Sequence, residues 1–191
     1  MTRRISVILL VLVCAVQVAV PLAMIARREM ALRQGEIFKF RCAPVDPVDF
    51  FRGRYVDLAF DVERYEGSIA DRLSRGQTVF AQIETDDKGF ARIVGLDTIP
   101  PESGAYVRCR VRWTGWNNVT LELPFGRYYM EETKAQDAED LYRERLAGGP
   151  GEAWVETRVL DGYAVLEELF IDGKPVLELL EEESGLGPFS G

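Results

Sequence analysis

Three aspartates and two arginines surround one proline-containing turn, and they are the side chains best placed to do chemistry. Asp46, Asp49 and Asp57 lie around the turn, with Arg52 and Arg54 between them. Paired carboxylates can act as general acid and base, or bind a cation through oxygen. The spacing fits no calcium loop, and the alternative is that the aspartates cap the turn while Arg52 pairs with one of them. Asp46 and Asp49 are therefore candidate ligand-binding residues, with no catalytic residue predicted.

The tripeptide Gly-Arg-Tyr occurs twice, as Gly53-Arg54-Tyr55 and as Gly126-Arg127-Tyr128, at an offset of 126 − 53 = 73 residues. If the two copies face each other, Arg54 and Arg127 could together bind a carboxylate or a phosphate, because guanidinium groups suit both. The alternative is a structural arginine beside a packed tyrosine in each copy.

The glycines of the two copies are predicted to be structural. A glycine at the start of a strand indicates a positive φ, a bulge or a close backbone approach. Gly53 and Gly126 are therefore predicted to hold equivalent positions that a Cβ would disturb. Tyr55, Leu58 and Tyr128 are predicted as packing positions of the same motif.

Several kinds of chemistry are excluded by composition. The chain has no histidine, which removes the commonest general base and the commonest transition-metal ligand. It also contains no phosphate loop, dinucleotide fingerprint or CxxC pair, so no metal site and no cofactor are predicted. Cys42 and Cys109 alternate with apolar neighbours, which predicts either two core thiols or, in an oxidising compartment, a disulfide.

An uncharged run of 22 residues, 5–26, precedes these features. It is long enough to span a bilayer core, which needs about 20 residues. We predict an uncleaved anchor followed by a short stalk to residue 35; a cleaved signal peptide is the alternative, although the cleavage pattern is poor. Basic residues flank the run on both sides, so the Lys/Arg rule gives nearly a tie for orientation.

The remaining chain is predicted to be an α+β domain, residues 36–180, with mainly antiparallel sheet. The 73-residue offset aligns identities from Gly53 to Leu96, which predicts two pseudo-repeated strand-turn-strand-helix-hairpin units at about 36–99 and 105–173. The alternative is one barrel-like sheet with two helices outside. Hairpins are predicted at 78–96, 106–123 and 153–171, helices at 68–74 and 135–147, and a disordered acidic tail at 181–191.

The stretch Gly53-Arg54-Tyr55-Val56-Asp57-Leu58-Ala59-Phe60 resembles the motif of the GDYXXLXY family of bacterial membrane-anchored proteins. It keeps Gly53, Tyr55 and Leu58, but has Arg54 in place of aspartate and Phe60 in place of tyrosine. The resemblance implies an anchored extracytoplasmic domain of unknown activity, with the N-terminus in the cytoplasm and a polytopic membrane protein as partner. It carries over no catalytic residue.

The net charge of the chain argues against one class of binding partner. Beyond residue 26 there are 21 basic and 31 acidic residues, a balance of −10, which speaks against nucleic acid. We predict an interaction or assembly module of the bacterial envelope, anchored in the cell membrane with its domain in the periplasm. The alternative is a ligand-binding or hydrolytic domain that uses Asp46, Asp49, Arg54 and Arg127. Catalysis has no positive support in the sequence.

Overall fold

The computed structural model describes residues 2–43, 55–67, 69, 72–131, 134, 137–138, 141–142 and 152–183. Helix α1, Thr2–Gln34, covers both the predicted anchor and the predicted stalk. It is long and apolar enough to cross a membrane, and no part of its apolar window is buried against the protein. The Gly35 N–H donates to the Ala31 carbonyl, 2.8 Å, and the next residue begins the first strand.

Twelve strands lie in the part of the chain that the structure describes, and all their ladders are antiparallel. The strands are β1 Glu36–Ala43, β2 Tyr55–Asp57, β3 Ala59–Phe60, β4 Arg64–Glu66, β5 Thr78–Thr85, β6 Ala91–Asp97, β7 Tyr106–Gly115, β8 Asn118–Glu122, β9 Arg127–Tyr129, β10 Ala153–Leu160, β11 Tyr163–Ile171 and β12 Lys174–Pro175. One sheet has the order β12-β11-β10-β1-β3 and the other β4-β8-β7-β5-β6, while β2 and β9 form a separate ribbon. The predicted α+β class with mainly antiparallel sheet is confirmed.

Each of the two large sheets is built from both predicted halves. Strand β1 from the first half pairs with β10 from the second, and β5 from the first half pairs with β7 from the second. The halves are thus interleaved, so neither half contains a complete sheet. The internal repeat stays a prediction.

Alternating side chains build the core because successive residues of a strand point to opposite faces. Strand β10 alternates strictly between buried and half-buried residues, as its sequence pattern predicts. Phe40, Phe60 and Phe125 form an aromatic cluster with ring centres 4.8 to 6.2 Å apart. Full burial of one such ring contributes about 2 to 3 kcal/mol. Leu58 and Phe60 of the motif are both buried, which gives them a packing role.

The predicted hairpins are confirmed as β5–β6, β7–β8 and β10–β11. The extended segment that follows the first Gly-Arg-Tyr copy is interrupted at Leu58 and ends at Phe60, and the 3₁₀ turn Asp61–Glu63 follows. Of the predicted helix at 135–147, residues 137–138 and 141–142 are described, and their backbone is helical. Of the predicted helix at 68–74, residues 68 and 70–71 lie outside the described part; residues 69 and 72 have a 3₁₀ backbone, and residues 73–74 are in no helix.

The last described element, α2 at Val176–Glu183, was not predicted. It has a helical backbone over residues 181–183, which the sequence assigned to a disordered tail. Val176 and Leu180 are buried four residues apart, so one face of a short helix packs on the core. Residues 184–191 lie outside the described part.

Candidate functional site

The structure pairs the strand that begins with Tyr55, the last residue of the first Gly-Arg-Tyr copy, with Arg127–Tyr129 in the β2–β9 ribbon. Tyr55 pairs with Tyr129, and Asp57 pairs with Arg127 across the ribbon. The Leu58 N–H extends this ladder by donating to the Gly126 carbonyl, 2.9 Å. Pairing of this kind has no local sequence signal, since the two strands are more than seventy residues apart. The ribbon is therefore one of several places where strands of the two predicted halves pair.

The predicted ligand-binding set can be placed only in part. Arg127 is exposed on β9. Asp46, Asp49, Gly53 and Arg54 lie outside the described residues. Convergence of the four charged side chains on one ligand therefore stays a prediction.

The expectation for Gly126 is wrong. Its φ is not positive, and a Cβ built there would lie 3.7 Å from the Leu58 carbonyl oxygen and 4.0 Å from that of Leu123. These are ordinary van der Waals contacts, so β9 begins with room for a side chain. Gly162 differs: its φ is +75°, and a Cβ would overlap the ring of Tyr106.

Tyr128 connects the ribbon to the first large sheet. Its hydroxyl donates to the Glu168 carboxylate on β11, 2.7 Å, and the same carboxylate accepts from the Leu169 N–H, 3.1 Å. Burial, followed by this contact with Glu168, raises the pKa of Tyr128 well above its ordinary value. The phenol thus stays protonated at neutral pH and acts as a donor. A packing role for Tyr128 agrees with its nearly complete burial.

Cys42 and Cys109 are both buried, free thiols in the structure. Cys42 lies beside Tyr142, whose hydroxyl donates to the Ala43 carbonyl, 3.0 Å. The Cys109 thiol donates to the Val107 carbonyl of its own strand, 3.5 Å. Burial raises the pKa of each thiol to about 12. Because the thiolate is the nucleophile and the metal ligand, neither sulfur is activated for such chemistry.

Glu63 is the titratable group that sequence reasoning missed. It ends the 3₁₀ turn, which packs against β1, β6 and β8, and its side chain is half-buried. Burial raises the pKa of Glu63 to about 7, opposed by the charge of Arg112 and a hydrogen bond from the Phe60 backbone and reinforced by Glu122. A carboxyl group with such a pKa can exchange a proton at physiological pH.

The arrangement around Glu63 falls short of a catalytic constellation. Its charge acts on the buried Cys109 thiol and on the Tyr142 phenol, and both stay protonated at neutral pH. In the part of the chain that the structure describes, no three acidic, cysteine or histidine side chains are grouped to hold a metal. In the sequence, Glu63 is one acid in a mixed charged stretch, and nothing local indicates its burial.

A surface cavity of about 270 Å³ lies along β6, which is an edge strand of its sheet. Phe80, Leu96 and Ile99 supply apolar walls, and Asp97 and Glu102 add acidic groups. Arg127 is not among the lining residues. The cavity is therefore separate from the β2–β9 ribbon.

Comparison with known proteins gives one match. The family model described as GDYXXLXY protein matches residues 17–169, a region that includes the second half of α1, the ribbon and all strands as far as residue 169 of β11. No curated protein and no solved structure matches the chain.

Proposed function

We propose, from the premise that this chain belongs to the GDYXXLXY family, that it is a membrane-anchored interaction module of the bacterial envelope working beside an integral membrane partner. The family has no established function, so the proposal is supported by the architecture. One observation carries it, which is the way α1 joins the sheet domain.

The junction between α1 and β1 contains a single residue, Gly35. Ala31, one turn earlier, is completely buried against the domain, and the guanidinium of Arg27 lies 4.5 Å from the centre of the Tyr163 ring. Flexible linkers let a domain sample many orientations, whereas this one is held at a fixed position next to the membrane. A domain with a fixed orientation relative to its membrane helix binds more easily to a partner in the same bilayer, because the domain loses little orientational freedom on binding.

The proposal places the domain in the periplasm and the N-terminus in the cytoplasm. The resemblance to anchored extracytoplasmic proteins is what supports this orientation, since the basic residues on the two sides of the apolar run are nearly balanced. Reporter fusions after Gly191 provide the test. We expect a periplasm-dependent reporter to be active and a cytoplasm-dependent one to be silent; the reverse pattern would refute the orientation.

The rigid junction itself can be tested by insertion. A flexible Gly/Ser segment of about ten residues between Gln34 and Gly35 should free the domain while leaving α1 and the sheets intact. We expect site-specific photo-crosslinks from the domain to one integral membrane protein to be lost. The matched control carries the same insertion after Gly191 and should keep the crosslinks. Equal crosslinking in both variants would contradict a role for the fixed orientation.

A second candidate function is ligand binding or hydrolysis at the junction of the halves. The β2–β9 ribbon favours it, since Arg127 lies opposite Asp57 in the strand register. Under this alternative Asp46, Asp49, Arg54 and Arg127 would line a site for an anionic ligand. The substitution Arg127→Ala should then abolish binding of a phosphate- or carboxylate-bearing probe without affecting the crosslinks to the membrane partner.

A further inference from the structure

The position where the apolar run ends determines how close to the bilayer the first strands of the domain lie. The run of 22 residues, 5–26, rises about 33 Å as a helix, slightly more than the hydrocarbon core of about 30 Å. Arg27 is the first charged residue after it, so it lies where hydrocarbon gives way to headgroups. The headgroup layer adds about 5 to 7 Å per leaflet, or about four helical residues, which places Ala31 near its outer boundary.

The β10–β11 hairpin reaches back to this level. Helix α1 contacts both strands of the hairpin, and Ala31 has no exposed surface. Tyr163, the first residue of β11, lies under the guanidinium of Arg27 at 4.5 Å. The turn Asp161-Gly162 directly precedes Tyr163, so the hairpin tip lies within a side-chain length of the first charged residue after the span.

Basic groups surround this tip. Arg27 and Arg28 are exposed at the end of the apolar run. Arg108 is also exposed, and its backbone N–H donates to the Gly162 carbonyl at the tip, 3.0 Å. Asp161 is the acidic residue of the turn, and the three arginines outnumber it. Guanidinium groups bind phosphate oxygens well, and tyrosine is enriched at membrane–water interfaces.

We propose that the tip of the β10–β11 hairpin, together with Arg27 and Arg28, lies against the phosphate groups of the bilayer that α1 spans. The domain then has a lipid-facing base in addition to its anchor. This inference rests on the proposal that α1 crosses a membrane, but it does not depend on the partner or on the orientation. The occupant is the lipid headgroup layer, because the helix that carries the tip continues directly into the hydrocarbon.

The chain offers a matched pair of probe positions. Asp161 and Asp172 are both exposed, both have positive φ, 48° and 50°, and both precede a glycine of positive φ. They lie at opposite ends of β11, whose nine residues span roughly 30 Å. A cysteine carries the same backbone strain at either position, and at 172 it also removes the hydrogen bond that the Asp172 carboxylate accepts from the Glu152 N–H, 3.2 Å.

The experiment uses the full chain in vesicles of phosphatidylcholine and phosphatidylglycerol. Asp161→Cys and Asp172→Cys, each combined with Cys14→Ala, are labelled with a fluorophore while folded, which spares the buried Cys42 and Cys109. Lipids with a spin label on the headgroup are then added as quenchers. We expect several-fold stronger quenching at position 161 than at position 172. Equal, weak quenching at both positions would overturn the proposal.

Failure of the anchor can be told apart from failure of this inference. Cys14 lies within the apolar run and is exposed to whatever surrounds the helix. When Cys14 is the only labelled residue, its fluorophore should be quenched by spin labels on the lipid acyl chains if α1 spans the bilayer. Quenching at Cys14 without headgroup quenching at position 161 would retain the anchor and refute the lipid-facing base. Replacing Arg27 and Arg28 by alanine should reduce the headgroup quenching at position 161 while leaving that at Cys14 unchanged.

Discussion

The hairpins β5–β6 and β10–β11 resemble each other on their returning strands, but they differ by one residue in register and also in their surroundings. Each contains one bulge on its returning strand, at Val94 in β6 and at Glu167 in β11, an offset of 167 − 94 = 73 residues. Each turn contains a glycine of positive φ, Gly89 and Gly162, at the same offset. The strand pairing differs, because the 73-residue offset carries the Gln82–Gly95 pair to Val155 and Glu168, whereas Val155 pairs with Leu169. The repeat stays a prediction.

The two hairpins differ in what surrounds them. β6 is an edge strand, and nothing lies within 4 Å of a Cβ built at Gly89. The β10–β11 hairpin has β1 on one side and β12 on the other, and its Gly162 accepts a hydrogen bond from β7. Next to its bulge, Glu168 is bound by Tyr128, whereas the residue 73 positions earlier is Gly95. Corresponding bulges and turn glycines therefore need not contribute equally to the stability of the fold.

The largest expected effect distinguishes the two turn glycines. Gly162→Ala introduces a side chain at φ +75° and a clash with the Tyr106 ring, so we expect a loss of about 2 to 4 kcal/mol in the free energy of unfolding. Gly89→Ala meets only the strain of φ +85°, so about 1 kcal/mol is expected. Denaturant midpoints of the detergent-solubilised full chain measure both. Equal losses would show that the surroundings of the two turns do not matter.

Local patterns explain why the hairpins could be predicted and their pairing could not. Alternation in 153–160, with Asp161-Gly162 next, predicts β10 and its turn from neighbouring residues alone. By contrast, the contact between Tyr128 and Glu168 joins residues 40 positions apart. The burial of Glu63 depends on packing of its turn against β1, β6 and β8. Long-range packing of this kind leaves no periodic trace in the sequence.

The Tyr128–Glu168 contact is expected to account for the next largest difference between the hairpins. Tyr128→Phe removes a donor to a half-buried carboxylate, and we expect a loss of about 1 to 1.5 kcal/mol in unfolding free energy. Tyr106→Phe is the control, because its hydroxyl makes no hydrogen bond within the part of the chain described. Chemical denaturation of both variants provides the measurement. A Tyr128→Phe midpoint equal to that of Tyr106→Phe would assign Tyr128 to packing alone.

Glu63 makes the stability of the folded domain depend on pH, whereas the residue 73 positions later is Gln136, which has no carboxyl group. Its folded-state pKa of about 7 exceeds its ordinary value of 4.5, so the folded protein holds a proton that the unfolded chain has released. Stability from this group is therefore complete below pH 4.5 and is lost as pH rises through 7. Allowing for solvent screening at a half-buried site, we expect a decrease of about 1 kcal/mol.

The test of this pH dependence is Glu63→Gln, which should unfold at a higher denaturant concentration than the wild type at pH 8 and differ little at pH 4. The exposed Glu102→Gln serves as the control and should follow the wild type at both values. If Glu63→Gln and the wild type keep the same difference across the whole range, Glu63 does not titrate in this window.

The smallest expected effect lies at Gly126, and it separates a glycine that the sequence motif emphasises from one that the backbone requires. Gly126 and Gly35 each directly precede a strand. A Cβ at Gly35 would overlap the Ala31 carbonyl oxygen and lie 3.2 Å from the Val159 backbone nitrogen, whereas at Gly126 the nearest atom is 3.7 Å away.

We therefore expect Gly126→Ala to change the unfolding free energy by less than about 0.5 kcal/mol, and Gly35→Ala to lower it by more than about 2 kcal/mol. If the two motif copies are equivalent, Gly53→Ala should be as mild as Gly126→Ala. A severe Gly53→Ala beside a mild Gly126→Ala would mean that the first copy alone carries a backbone constraint, so the tripeptide would mark two different backbone conformations. A severe effect at both positions would instead restore the original expectation that a Cβ disturbs the start of each strand.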